Sequence, residues 1–376
     1  MDYAALMNDF AQWTEEFGRL VGRLAGRRTF SGEIENINRF LDEVTVLFSR
    51  WSPAVERLAT PAGDVLQLDF AGAGQRPIVL LAHADTVQVS EEPLPVRREE
   101  RRLYGSGILD MKQAIALFYF ALDVLSPGPA GTRPPLRLVL NPDEETGSRH
   151  SLAILLHRCR DARAVLLPEP CGPDGALKTR RKGVIALEST LEGRAAHSGV
   201  DPAAGRDANR GLARFLREVD ERLIEYPDVT FNPGVIQGGQ EINVVSPRSR
   251  LRGELRGFTT RNLEAAAGMI AGIGSTGDIA IHTTCRRLHP ALEENEANGR
   301  VVRIAQSIAA GLGQPLGTCA SGGASDGSDL SAAGIPVLDG LGMRGGGAHT
   351  TDEFIDLDDF PFRATLITAL CREVPA

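Results

Sequence analysis

The first fifty residues carry apolar side chains at helical spacing. Phe10, Trp13, Phe17, Leu20 and Leu24 form one stripe; Ile34, Ile37, Leu41 and Val44 form a second. Both predict amphipathic helices whose apolar faces turn to a core. The pattern then shortens. VLQLDF (65–70) and IVLLA (78–82) read as strands, and MKQAIALFYFALDVL (111–125) reads as a buried helix stopped by SPGP. LRLVL (136–140), a helix near 150–159 and AVLL (164–167) follow. Strands joined by helical crossovers predict an α/β fold: a mixed, mostly parallel sheet with helices on both faces.

The texture changes near residue 180. TRRKGVIALESTLEG predicts one long strand with an exposed face. A helix (204–219), strands (230–237 and 249–258), a helix (261–273) and a strand (278–284) come next. That is two helices against a small antiparallel sheet. After RRLHP the α/β pattern returns, with a helix near 297–312 and the strand IPVLD. The expected organisation is one α/β domain, residues 1–180 and 286–376, interrupted by an inserted α+β domain, 181–285.

Composition narrows the function. The chain has 376 residues, more than one ordinary core supports. Its net charge of −8 disfavours nucleic acid and anionic membrane surfaces as partners. The N-terminus shows no basic region followed by an apolar run, and no apolar segment is long enough to span a bilayer. The five cysteines are scattered with no CxxC pair, which fits a reducing cytoplasm and disfavours a thiolate zinc site. With seven histidines, any metal site must lean on carboxylates.

In open α/β sheets, ligands bind beyond the carboxyl ends of the strands. His83 and Asp85 follow IVLLA, Asp110 follows the turn GSGIL, Glu144 and Glu145 follow LRLVL, Glu169 follows AVLL, and His349 follows the last strand and a Gly-rich loop. Two imidazoles with several carboxylates form a nitrogen–oxygen set that suits zinc, manganese or cobalt. Each position also has a plainer reading. Asp110 suits the N-cap of the following helix, and Glu144–Glu145 suit an acidic first helical turn. Glu169 suits a solvated loop, and a lone histidine after a strand is commonly structural. Recurrence of one chemistry at five strand termini favours the metal reading.

HADTV, GSGILDMK, NPDEETGS, LPEP and GGGAHTTDEF occur in this order, with RKGV, GRAAHSG and GGQEINVVSP in the inserted domain and GGASDGSDL later. Together they resemble the co-catalytic zinc family of acetylornithine deacetylase, succinyl-diaminopimelate desuccinylase, glutamate carboxypeptidase and aminoacylase, over nearly the whole chain. GGASDG with GLGMRGGGAHT looks most like the glutamate carboxypeptidase branch. The resemblance implies a zinc-exopeptidase-like fold with a lid and dimerisation domain. It implies His83, Asp110 and Glu169 on one metal and Asp110, Glu145 and His349 on another, with two Zn²⁺ per chain, or Co²⁺ or Mn²⁺ in their place. Asp85 would accept a hydrogen bond from the other ring nitrogen of His83 and so fix its tautomer, and Glu144 would be the general base. His197 would steady the oxyanion across a homodimer, and Asn243 and Arg256 would line the substrate side. Arg286 and Arg287 are further guanidinium forks for a substrate carboxylate. Gln113 and Ser198 replace the glycine and alanine usual in the family, and a substrate-clamping lysine does not align.

The expected activity is hydrolysis of an amide or peptide bond in an N-acyl amino acid or small peptide, through a water activated by two zinc ions. A deacetylase or desuccinylase is the alternative within that chemistry. A binuclear phosphoesterase lacks support, because no Lys/Arg cluster accompanies the ligands. A non-catalytic binding protein would have lost ligands, and all five are present.

Overall fold

The computed structural model describes residues 2–126 and 133–375. Residues 127–129 of the expected SPGP stop lie outside them. The chain forms two compact units: Met1–Thr179, Glu294–Ser321 and Ser325–Ala376 make the first, and Arg180–Glu293 with Gly322–Ala324 make the second.

In the first unit, an eight-stranded sheet runs in the order β1 (Ala54–Thr60), β2 (Gly63–Phe70), β6 (Leu136–Asn141), β3 (Ile78–His83), β7 (Ala164–Leu167), β15 (Val337–Asp339), β8 (Leu177–Arg181) and β14 (Thr318–Ser321). The central strands β6, β3, β7 and β15 are parallel, and β1, β2 and β8 pair antiparallel. Every residue of β3 and β7 is buried, which is why they read as unbroken apolar runs. Helices α1 (Tyr3–Gln12), α2 (Thr14–Ala25), α3 (Ile34–Phe48), α4 (Gln113–Leu125), α5 (Leu152–Cys159), α8 (Glu296–Gly311), α9 (Asp326–Ala332) and α10 (Phe360–Glu373) complete this unit. A second sheet, ordered β16 (Gly345–Gly346), β17 (Phe354–Asp356), β5 (Arg102–Tyr104) and β4 (Arg97–Glu99), ties two distant segments together.

Three differences from the sequence expectation have physical causes. The first apolar stripe is two helices, because the chain bends at Trp13 (φ −94°, ψ 5°), whose N–H bonds Phe10 O at 2.9 Å. Phe10, Phe17 and Leu24 stay buried on both sides of the bend, so the stripe hides it. Helix α4 begins at Gln113 rather than 111. Asp110 (φ −120°, ψ 91°) and Met111 (φ −136°, ψ 42°) are not helical, and Lys112 occupies the cap position, so Asp110 is no N-cap. The long strand expected from 179 divides: β8 joins the large sheet, while β9 (Gly183–Glu192) joins the small one.

The second unit has a five-stranded antiparallel sheet, ordered β10 (Val229–Gly238), β11 (Arg248–Gly257), β9, β13 (Ile279–His289) and β12 (Ser275–Thr276). Helices α6 (Ala208–Leu223) and α7 (Thr260–Ala271) bury Phe215, Val219, Leu263 and Ile270 with Leu187, Leu251 and Ile281 from the sheet, a core of its own. Among the described residues, no helix is long and apolar enough to cross a membrane.

Candidate metal centre

The pairing of β3 with β6 sets His83 opposite Asn141, so the two strands end level. The His83 ring is buried, and its Nδ1 lies 2.8 Å from the main-chain oxygen of Asp85. A carbonyl only accepts, so Nδ1 donates. Nε2 is left facing Asp110 Oδ1 at 3.1 Å and Glu169 Oε1 at 3.9 Å, with either a proton or a metal to hold between them.

The expected hydrogen bond from the ring to Asp85 thus goes to its main-chain oxygen, and its carboxylate has a separate task. It stands 3.7 Å from the His83 ring and accepts instead from Glu144 N (3.1 Å), Glu145 N (3.3 Å) and Ser31 Oγ (2.8 Å). The main-chain oxygen fixes the tautomer, and the side chain grips the turn that follows β6. Burial pushes the Asp85 carboxyl up to about 7, against the pull of His83.

That turn is a single 3₁₀ turn, Glu144–Thr146. Successive residues there rotate by about 120°, which separates the two glutamate side chains. Glu145 Oε2 lies 3.1 Å from His349 Nε2, while its Oε1 is buried with no hydrogen-bond partner. Burial, and then the charge of Glu169, raise the Glu144 carboxyl well above the usual range. Asp143 locks the turn from beneath, accepting from Ser151 Oγ (2.5 Å) and His150 N (2.9 Å).

Asp110 links everything. Its Oδ1 faces His83, and its Oδ2 lies 3.4 Å from His349 Nε2. Burial alone would raise its carboxyl, but His349 and His83 pull it far below the ordinary range. Conversely, Asp110 and Glu145 push His349 up to about 10. The ligand atoms of His83, Asp110 and Glu169 lie within 4.8 Å of one another, as do those of Asp110, Glu145 and His349. These two groups share one carboxylate. Their field favours cations strongly enough to hold protons on both imidazoles, and the orphaned Glu145 oxygen lacks a partner. A divalent ion in each group would answer both, so the residues fit.

The sequence reading missed Glu353. Its buried carboxylate accepts from Gly107 N, Leu109 N and Asp110 N at 2.8–2.9 Å. Burial pushes it up to about 7. The glycines before His349 also serve the backbone rather than a ligand. A Cβ on Gly345 would meet Phe354 O at 2.1 Å, and one on Gly347 (φ +71°) would meet Asp352 O at 2.5 Å.

His197, Asn243 and Arg256 belong to the second unit. There GRAAHSG and GGQEINVVSP meet: His197 bridges Val244, and Ser198 N bonds Asn243 O at 2.9 Å. His197 Nδ1 accepts from Gly199 N (3.1 Å) and Val200 N (3.2 Å), which leaves the proton on Nε2. Asn243 is exposed. Arg256, expected to offer a free fork, is held by Glu254 (2.7 and 3.2 Å) and Gly322 O (2.9 Å). Arg287 pairs with Glu264.

The profile of Peptidase family M20/M25/M40 matches residues 79–373. Carboxypeptidase G2 of Pseudomonas sp. strain RS-16 is 25% identical over 84% of this chain and 78% of its own length. N-acetyl-L-citrulline deacetylase of Xanthomonas campestris is 28% identical over 78% of this chain and 81% of its own. In three dimensions, aminopeptidase PepT of Bacillus cereus superimposes with a TM-score of 0.81 at 20% identity, covering 96% of this chain and 98% of that one, a likeness of fold.

Proposed function

This chain belongs to peptidase family M20/M25/M40 and is a metal-dependent hydrolase; on that premise we propose that it releases an amino acid from an N-acyl amino acid or short peptide, in the manner of a glutamate carboxypeptidase. The observation that carries the proposal is the pair of ligand groups sharing Asp110, with Glu144 beside them on the same turn as Glu145.

In this reading His83, Asp110 and Glu169 hold one divalent ion, and Asp110, Glu145 and His349 hold the other, with zinc as the metal. When bound, such ions polarise a scissile carbonyl and lower the pKa of water. Glu144 supplies the proton chemistry. Its raised carboxyl pKa suits a group that takes a proton from the attacking water and returns it to the leaving amine. Asp85 holds the Glu144–Glu145 amides and so aims the base.

The segment 181–285 serves as lid and dimerisation domain. Strand β10 supports a homodimer, because it is an edge strand with exposed Val235 and Ile236. His197, reaching the partner's site, presents Nε2–H to the oxyanion. Asn243 lines the substrate side beside it. Arg256 takes a substrate carboxylate by exchanging it for Glu254. The five cysteines are unpaired, which supports a reducing cytoplasm.

The relationship to an N-acetyl-L-citrulline deacetylase favours a second reading, N-deacylation. One screen separates them. Zinc-loaded protein is offered dipeptides, N-acyl glutamates and N-acetylated basic or neutral amino acids, and free amino acid is measured. Release from acidic substrates alone supports the carboxypeptidase-like reading, release from N-acetyl substrates alone supports the deacylase, and release from none defeats both.

A further inference from the structure

The bridging ligand sits on a segment with no regular structure to hold it. Asp110 and Met111 are not helical, and Asp110 lies three residues after Gly107, a left-handed turn residue (φ +63°). The amides of Gly107, Leu109 and Asp110 have no helical ladder to enter, and buried N–H groups need partners. All three converge on one carboxylate. Glu353 Oε1 accepts from Leu109 N (2.8 Å) and Asp110 N (2.9 Å), and Oε2 accepts from Gly107 N (2.9 Å). Its main-chain oxygen accepts from Gly105 N at 3.2 Å.

Glu353 is 5% exposed, so this is a buried carboxyl group held by three amide donors, bonds that strengthen when it is ionised. It precedes β17, whose pairing of Phe354 with Tyr104 fixes its position beside the 105–110 segment. It also follows His349 by four residues. One side chain therefore fastens the segment of the shared ligand to the segment of the exposed histidine. A glycine at 107 is required for this approach, since a Cβ there would meet Thr86 Cγ2 at 2.2 Å.

We propose that Glu353 is a positioning residue: it sets Asp110 in its bridging geometry before any ion arrives and thereby raises the metal affinity of both ligand groups. The proposal rests on the metal-centre reading above. Residues that orient metal ligands in this way are commonly worth about 10–100-fold in metal affinity.

The test uses full-length, metal-stripped wild type and Glu353→Gln. The substitution keeps the shape but turns one acceptor into a donor facing an N–H. Each protein is titrated with Zn²⁺ against a chromophoric chelator, and the Tm of each metal-free form is measured. The expected result is about a 10–100-fold loss of zinc affinity in protein that still unfolds cooperatively. Affinity within twofold of wild type overturns the proposal, even if the Tm falls, because Glu353 then serves the fold alone. Should the variant not fold, amide exchange on the metal-free wild type decides. Protection of Gly107, Leu109 and Asp110 without zinc is expected; protection that appears only after zinc is added overturns the idea. A wild type that binds no zinc sinks the metal-centre reading and this proposal together, whereas unchanged affinity in the variant sinks this proposal alone.

Discussion

The two ligand groups use the same donor chemistry in opposite surroundings. The His83 side chain is 1% exposed, at the end of a fully buried strand, with its second ring nitrogen locked on Asp85 O. The His349 side chain is 49% exposed, on a left-handed residue (φ 61°) one alanine beyond three glycines. At His83, burial opposes a charge on the ring, and Asp110 must overcome that. At His349, the bonds to Asp110 and Glu145 dominate, and burial is the smaller influence. One histidine is positioned by packing and the other by a loop that the carboxylates hold. An ion in the first group would be held by more deeply buried side chains than an ion in the second.

The sharpest way to break this comparison is to remove what the groups share. Asp110→Asn should empty both, since the amide brings no negative charge. Loss of about 4 kcal/mol of transition-state stabilisation costs about a thousandfold in rate. Metal analysis of the variant that still finds one ion per chain would show that Asp110 is not shared.

A smaller effect separates the groups themselves. His349→Ala should retain one ion, and a chelator added to wild type should strip the exposed group first, in two phases. Removal of both ions in one phase would mean the difference in burial does not govern release.

The smallest effect is on the stability of the metal-free chain. Asp85 and Glu353 hold protons up to about pH 7 when folded, and His349 holds one up to about pH 10. Unfolded, the carboxyls release theirs near pH 4 and the imidazole near 6.5. Through these carboxyls the folded state binds more protons, and stability falls as pH rises from about 4 to 7. Above that, the loss through His349 is offset by buried Lys112, whose ammonium is pulled down to about 7 by burial. Thermal unfolding of metal-free protein should show a Tm dropping by several degrees between about pH 4 and 7, and zinc should flatten the slope. A Tm that climbs with pH would contradict these proton holdings.

Much of this was readable from the sequence for a physical reason. Parallel strands buried on both faces appear as unbroken apolar runs, so the polar residues that end them stand out, and His83, Glu144, Glu145 and Glu169 are such residues. Other features depend on contacts that no local pattern carries. Glu353 sits in TTDEF like any loop carboxylate, and its amide partners lie 243 to 246 positions earlier. Asp85 stands next but one to His83, which suggested a bond to that ring; its main-chain oxygen makes that bond, and the chain brings its carboxylate to amides 59 and 60 positions later. Helix α10 was missed because fully buried Arg363, Thr365 and Thr368 interrupt its apolar pattern. Arg363 is paired there with Asp359 at 2.8 Å.

The central claim is that adjacent glutamates on one turn divide the work: Glu145 holds metal, and Glu144 moves protons. Zinc per chain, measured beside kcat in Glu144→Ala and Glu145→Ala, tests it directly. The account predicts that Glu144→Ala keeps the wild-type metal content and loses about a hundred- to ten-thousandfold in kcat, while Glu145→Ala loses an ion as well as rate. Equal metal loss in the two variants would contradict it.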